Sequence, residues 1–258
     1  MLQTAVLRTI DLSNDILVHM HFFRINSIDS NQNHGSHQYC IAMDKPLLTL
    51  ANIATSMEKK RYRKDPSRLH RHIWKLRKVF NVIGHGINFL HQQGVIHGNI
   101  ALDTCGKFED GWKLLNLIGV QNLGEGVMAS RMGLSIPPEG IKSRKDQSST
   151  RMNDTLSASP TIDIWAFGKL MFEVVVQKSL IPFDSSETIE RQDSRLLKEL
   201  GNWNEENLRD AVAELEMTGI GHLGIDLISH CLCSREERPQ SMQEVMSHGF
   251  WNESRVKR

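Results

Sequence analysis

The run Thr161–Val176, TIDIWAFGKLMFEVVV, constrains this chain more than any other stretch. Ile162, Ile164, Trp165, Phe167, Leu170, Met171, Phe172 and Val174 to Val176 leave no continuous polar face. A helix that is apolar all round belongs inside a larger protein, and this one is too short to cross a bilayer. Asp163 stands in its first turn, where a carboxylate meets free backbone N–H groups and the positive end of the helix dipole. Either that carboxylate caps its own helix or it holds a loop brought to it from elsewhere in the chain.

The rest of the sequence has enough apolar material to bury such a helix. With 40% hydrophobic and 24% charged residues over 258 positions, the composition is that of a globular protein with a sizeable core. The formal net charge of +1 gives no electrostatic footprint for nucleic acid or for a polybasic membrane surface. Cys40, Cys105, Cys231 and Cys233 include no C-x-x-C spacing of the zinc type, which points to reduced intracellular thiols. The start, MLQTAVLRTIDL, lacks the basic and apolar regions of a secretory leader, and no long apolar run follows, so the expected location is cytoplasmic.

Taken in order, Ile16–Ile25 and Tyr39–Met43 read as two strands, separated by the polar turn 26–36, and they are expected to pair as an antiparallel hairpin. Leu47–Met57 reads as a short helix. Asp65-Pro66 is a helix start signal, and Leu76, Val79, Phe80, Ile83, Ile87 and Leu90 recur at helical spacing up to a stop at Gly94. Gly84 and Gly86 weaken that helix by about 1 kcal/mol each relative to Ala, and either close approach of another backbone or simple sequence drift would account for their presence. Leu208, Ala211, Val212 and Leu215 form one later apolar stripe, and Leu223, Leu227, Ile228, Cys231 and Leu232 form another. Ser241-x-x-Glu244 has the pattern of a capping box opening the last helix. His19 and His21 share a strand face, but with no third ligand nearby they read as solvent-facing.

Five local patterns fall in a telling order: Leu90-His91-x-x-Gly94-x-x-His97, Pro137-Pro138-Glu139, Asp163-x-Trp165-x-x-Gly168, Arg238-Pro239 and His248-x-Phe250. Each alone is weak. Together, from about Ile16 to Trp251, they resemble the eukaryotic protein kinases. The resemblance implies an α+β fold with a mostly helical C-terminal lobe over residues 46–251. Before it, residues 1–45 would supply a two-stranded remnant of the N-terminal lobe and the hinge, and 252–258 would form a tail. Residues 142–160 would form a mobile insertion, longer and more polar than usual. The resemblance also implies that His97 anchors the loop after the long helix, that Asp163 caps that loop's backbone, and that Glu139 and Arg238 meet as a buried ion pair.

The departures from the kinase pattern bear on chemistry. A kinase catalytic loop reads H-R-D-L-x-x-x-N, with the Asp as base and the Asn on magnesium. Here Asn99 stands at the base position, Ala101 at the usual Lys and Thr104 at the metal-binding Asn. The D-F-G triplet aligns with Asn116-Leu117-Ile118, replacing the metal-binding carboxylate by an amide, and the next register, Leu117-Ile118-Gly119, has no acid at all. Losing the base alone costs roughly 10²- to 10⁴-fold, and losing anionic ligands weakens a hard dication's hold further. A Gly-rich phosphate loop and a V-A-I-K-type strand are not found in the sequence.

The expected function is accordingly that of a pseudokinase: a kinase-like domain without phosphotransfer that binds or scaffolds a protein partner, with no metal and no cofactor. Self-association through apolar surface around Phe22 and Phe23 is a further expectation. One rival is a weakly active ATP- and Mg-dependent serine/threonine kinase with Met43 and Asp44 as its hinge. The other is a fragment of a larger kinase-like gene product. Nucleic-acid and membrane partners are not expected.

Overall fold

A computed structural model describes residues 17, 20–26, 37–58, 66–127, 135–145, 156–181, 195 and 197–252. Its centre is α4 (Pro160–Val176), in which Thr161 to Gly168 are buried without a break. Ser159 enters in extended conformation, Pro160 takes the first helical position where its missing N–H costs nothing, and Gln177 ends the helix in the left-handed region. Around α4 pack the long α2 (Pro66–Gln92), α5 (Glu205–Glu216), α6 (His222–Leu232) and the short α7 (Met242–Met246).

The contacts follow from side-chain spacing. Ile73, Leu76, Phe80, Ile83, Ile87 and Leu90 of α2 are buried, three or four residues apart, which is the stripe of an amphipathic helix. Phe80 meets Phe167 edge to face at 6.5 Å. Trp165 meets Trp203 in the same way at 5.4 Å. On the α6 side the approach is closer: a Cβ at Gly168 would lie 2.5 Å from Cys231 Cβ, so glycine is required for the two helices to touch there. Gly84 of α2 lies against the side chains of Met246 and Met242 rather than against another backbone. Burial pushes the Cys231 thiol up to about 12, and Cys105, Cys231 and Cys233 are all free.

Short strands set the loops. β1 (Met20–Asn26) and β2 (His37–Met43) pair antiparallel, Met20 opposite Met43 and Asn26 opposite His37, so the first strand begins four residues later than Ile16. β3 (Leu48–Thr49) precedes α1 (Leu50–Glu58), which takes the first residues of the expected 47–57 helix into an extended pair. β3, β5 (Cys105–Lys107) and β6 (Trp112–Leu114) form one antiparallel sheet, while β4 (Val95–Ile96) pairs with β7 (Gln121–Asn122). Of the 142–160 stretch, 142–145 finish α3 (Pro138–Lys145) and 156–158 bond back to 124–127 through Val127 N–H to Leu156 O and Ala158 N–H to Glu125 O; 146–155 lie outside the described residues. The side chains of Phe22, Phe23 and His21, and all of His19, also lie outside them.

At the last helix the capping pattern is modified. Ser241 Oγ accepts from the Glu244 N–H, but Glu244 reaches back to the N–H of Gln240 rather than to that of Ser241. Among the described residues no helix is long and apolar enough to cross a membrane.

Candidate functional site

β4 ends at Ile96 and delivers the chain directly onto the N-terminus of α4. There Asp163, fully buried, takes three hydrogen bonds: from the backbone N–H of His97 (2.7 Å) and Gly98 (2.9 Å) and from His91 Nε2 on α2 (3.0 Å). The carboxylate therefore holds a loop and a second helix, not merely its own first turn. Burial pushes the Asp163 pKa up, but the hydrogen bond and charge of His91, with the backbone N–H of His97, outweigh it and hold the carboxyl below its ordinary value.

His97 is buried as well, and its ring bridges two loops. Nδ1 accepts from the Asn99 N–H (3.2 Å), which leaves Nε2 as the protonated nitrogen donating to Leu115 O (3.0 Å). Both nitrogens are then used in the neutral ring. Desolvation lowers the pKa of His97, which agrees with a neutral structural histidine.

The following residues form the other face of the loop. Thr104 is buried, and its hydroxyl serves the loop itself: it accepts from Ala101 N–H (2.8 Å) and lies 3.0 Å from each of Asn99 O and Ala101 O. The result is a tight 3₁₀ turn over Leu102–Thr104. Ser135 donates to Ile100 O (2.7 Å) and lies 3.4 Å from Asn99 Oδ1, tying the loop to the segment before α3. Asn116 adopts φ 59°, ψ 57°, a conformation that Asn tolerates better than most residues, and its Oδ1 is buried without a partner among the described residues. The backbones of the two loops touch. Gly98 has φ +72°, and a Cβ there would lie 2.6 Å from Gly119 O.

Glu139 and Arg238, far apart in sequence, meet at 2.8 Å. The Arg238 side chain is 1% exposed and the Glu139 side chain 19%, so the pair is buried on one side only. Arg238 also donates to Thr161 O and Cys233 O, and its guanidinium lies over the Trp165 ring at 5.0 Å. One arginine thus joins α3, the start of α4 and the end of α6. Met43 and Asp44, the hinge candidates, are exposed between β2 and β3.

Donor chemistry is a direct test of whether magnesium suits this face. Asn99, Thr104 and Asn116 offer two amides and a hydroxyl already occupied by the loop, whereas a hard dication prefers anionic oxygen. Among the described residues no group of three or more His, Cys, Asp or Glu side chains is arranged to hold a metal. These positions do not fit the ion.

Two groups were not assigned roles by sequence reasoning. His91 was part of a motif, but its bond to Asp163 depends on how α2 crosses α4. Lys169 and Glu173, the only charges in the middle of the apolar run, pair at 2.8 Å and line a cavity of about 540 Å³ beside Asn99. Their i,i+4 spacing was the available signal.

No protein-family model matches the chain, and no curated protein matches it by sequence. Among solved structures, the kinase PK-1 of Cydia pomonella granulovirus superposes with a TM-score of 0.61 at 14% identity, over 97% of this chain and 80% of that one. At that identity the likeness is one of fold, and the fold is protein kinase-like.

Proposed function

We propose that this chain is a protein kinase-like domain without phosphotransfer activity that serves as a protein-binding or scaffolding module, its helical part corresponding to a kinase large lobe and β1–β2 to part of a small lobe. One observation carries the reading: the loop that would hold the chemistry keeps its structural anchors and has no carboxylate at the base or metal positions. Phosphoryl transfer rests almost wholly on positioning and charge stabilisation, so a site with amides at Asn99 and Asn116 and a committed hydroxyl at Thr104 lacks what the reaction needs. A second reading, a weakly active serine/threonine kinase, is favoured by the loop's preserved framework, in which Asp163 and His97 hold the backbone.

A thermal-shift titration with ATP, with and without Mg²⁺ or Mn²⁺, separates the two, because a ligand bound only by the folded state raises apparent stability by mass action. The natural chain is expected to show no metal-dependent shift and no phosphate incorporation into itself or a general protein substrate. A metal-dependent shift with incorporation that Asn99→Asp and Asn116→Asp strengthen would establish the weak kinase instead.

A further inference from the structure

A second cavity, of about 780 Å³, shares Lys178 and Ser179 with the one beside Asn99. Its walls are one face of α5 and the loop 178–181 that follows α4. Asn207, Asp210, Ala211 and Glu214 stand three or four residues apart, so one side of the helix faces the cavity. Phe172, Leu180, Ile181 and the half-buried Trp203 supply apolar lining.

The polar lining is almost fully committed. Lys178 pairs with Glu214 (2.9 Å) and Glu199 with Arg195 (2.7 Å). Ser179 Oγ turns to Glu173 Oε1 (3.3 Å). Asn204 and Asn207 each accept from the other's backbone N–H. Asn202 and Asp210 remain: among the described residues neither side chain has a hydrogen bond or an ion pair, and of the two Asp210 alone is charged. The cavity thus holds one carboxylate without a counter-ion.

The surrounding charge has the same sign. α5 carries Glu205, Glu206, Asp210, Glu214 and Glu216 against Arg209, and in sequence the stretch 182–194 adds Asp184, Glu187, Glu190 and Asp193 against Arg191. Of the described bases between 178 and 216, Lys178 and Arg195 are paired as above, and Lys198 and Arg209 do not line the cavity. A chain of net charge +1 therefore concentrates negative charge in this region, which draws cations and repels anions. Arginine matches the lining on two counts. Its planar head meets a carboxylate with two parallel N–H groups, and its aliphatic stem lies on apolar surface such as Phe172 and Trp203 provide. We infer that this cavity is a docking site for an arginine-containing segment of a protein partner. The choice of a protein segment rests on the reading of the chain as a protein-binding module, whereas the choice of arginine rests on the cavity alone.

The test titrates the full chain with three tripeptides blocked at both ends, Leu-Arg-Leu, Leu-citrulline-Leu and Leu-Glu-Leu, and follows the protein's NMR signals. The Trp203 indole N–H, held by Leu232 O (3.0 Å), is the reporter in the cavity wall. Leu-Arg-Leu is expected to shift it saturably. Citrulline keeps the shape without the charge and should bind at least about tenfold more weakly, and Leu-Glu-Leu should not bind. Asp210 is exposed, so its variants keep the fold: Asp210→Asn should weaken Leu-Arg-Leu by about tenfold, and Asp210→Arg should abolish binding. Glu216→Arg makes the same change of charge on the same helix outside the cavity and should weaken binding by less than about threefold. Binding that survives Asp210→Arg, or that citrulline matches, would overturn the inference. An equal loss with Glu216→Arg would do so too, by reducing the site to a diffuse field, as would no shift of Trp203 up to the solubility of the peptide. Shifts of the same signals that grow with the concentration of the chain alone would assign the cavity to a second copy and overturn it as well. An active kinase revealed by the ATP titration would leave the Asp210 result unaltered, so the two readings fail separately.

Discussion

The two sides of the loop 97–104 have opposite characters. On the side facing α4 the charged anchors are held several times over: Asp163 accepts three hydrogen bonds, His97 uses both ring nitrogens, and Arg238 reaches Glu139 and two backbone carbonyls, while Arg238 Nε, His91 Nδ1 and Trp165 Nε1 have no partner among the described residues. On the open side, Asn99 has a single long contact from Ser135, and Asn116 Oδ1 has none among the described residues. A carboxylate that anchors and a carboxylate that reacts answer to different physics. The first prevents buried donors from losing their partners, which costs about 1 to 3 kcal/mol each. The second contributes little to folding, so an amide can stand in its place without loss of the fold.

If that division holds, the anchoring side carries the largest effect. Glu139→Ala leaves Arg238 charged and buried without its anion, and the expected loss is about 3 to 5 kcal/mol in urea denaturation. Arg238→Met should cost less on the electrostatic side, since the Glu139 side chain is 19% exposed and water can reach it. The double variant Glu139→Leu/Arg238→Met should recover part of the loss, because no unpaired charge remains. A double variant less stable than either single one would show that the pair itself, rather than avoidance of an orphan charge, holds this corner.

Thr104 sharpens the comparison from the other direction. Its hydroxyl does structural work, so Thr104→Val should cost about 1 to 3 kcal/mol by leaving the Ala101 N–H without its acceptor in a half-buried turn. A loss under about 0.5 kcal/mol would mean that the turn Leu102–Thr104 holds itself without the hydroxyl.

The pH profile tests the anchors without mutation. The folded-state pKa values of His97 and Asp163 lie below their ordinary values of 6.5 and 3.8, so the folded chain binds fewer protons than the unfolded one. Their contribution to stability is complete above about pH 6.5 and is lost as pH falls, His97 first and Asp163 below about pH 4. Each proton gives a slope of at most about 1.4 kcal/mol per pH unit. Replacing His97 by Asn should flatten the upper part of this decline. A stability that rises from pH 7 to pH 5.5 would mean that His97 is protonated in the folded state and that the tautomer assigned from its two bonds is wrong.

What could be read from the sequence divides along the same line. The unbroken apolar run at 161–176 marks the buried helix, and the 3,4 spacing on α2 marks its stripe, because both are periodic signals that any core of this kind imposes. The ordered motifs pair Glu139 with Arg238 and the loop with Asp163, as the structure does. Other features depended on tertiary approach. Leu48 and Thr49 read as the start of a helix until Lys107 and Gly106 were found opposite them. The contact of Gly84 with Met246, the bond from His91 to Asp163 and the cavity over Lys169 and Glu173 arise where elements distant in sequence meet, and no local pattern encodes such meetings.

The smallest expected effect is also the most discriminating. Asn99→Asp introduces a carboxylate at a half-buried position whose side chain has one 3.4 Å contact, and Ser135 can donate to an acid as readily as to an amide. Stability should change by less than about 0.5 kcal/mol, as for surface substitutions away from special features. Asp163→Asn is the same atom-for-atom exchange in reverse, made at a site where the lost charge anchors two backbone N–H groups and a histidine; it should cost several times more. If Asn99→Asp destabilised the chain as much as Asp163→Asn, the amide at Asn99 would be part of the fold's support. If the two differ as expected, position 99 is free to carry either residue, and the fold makes no demand for an amide there.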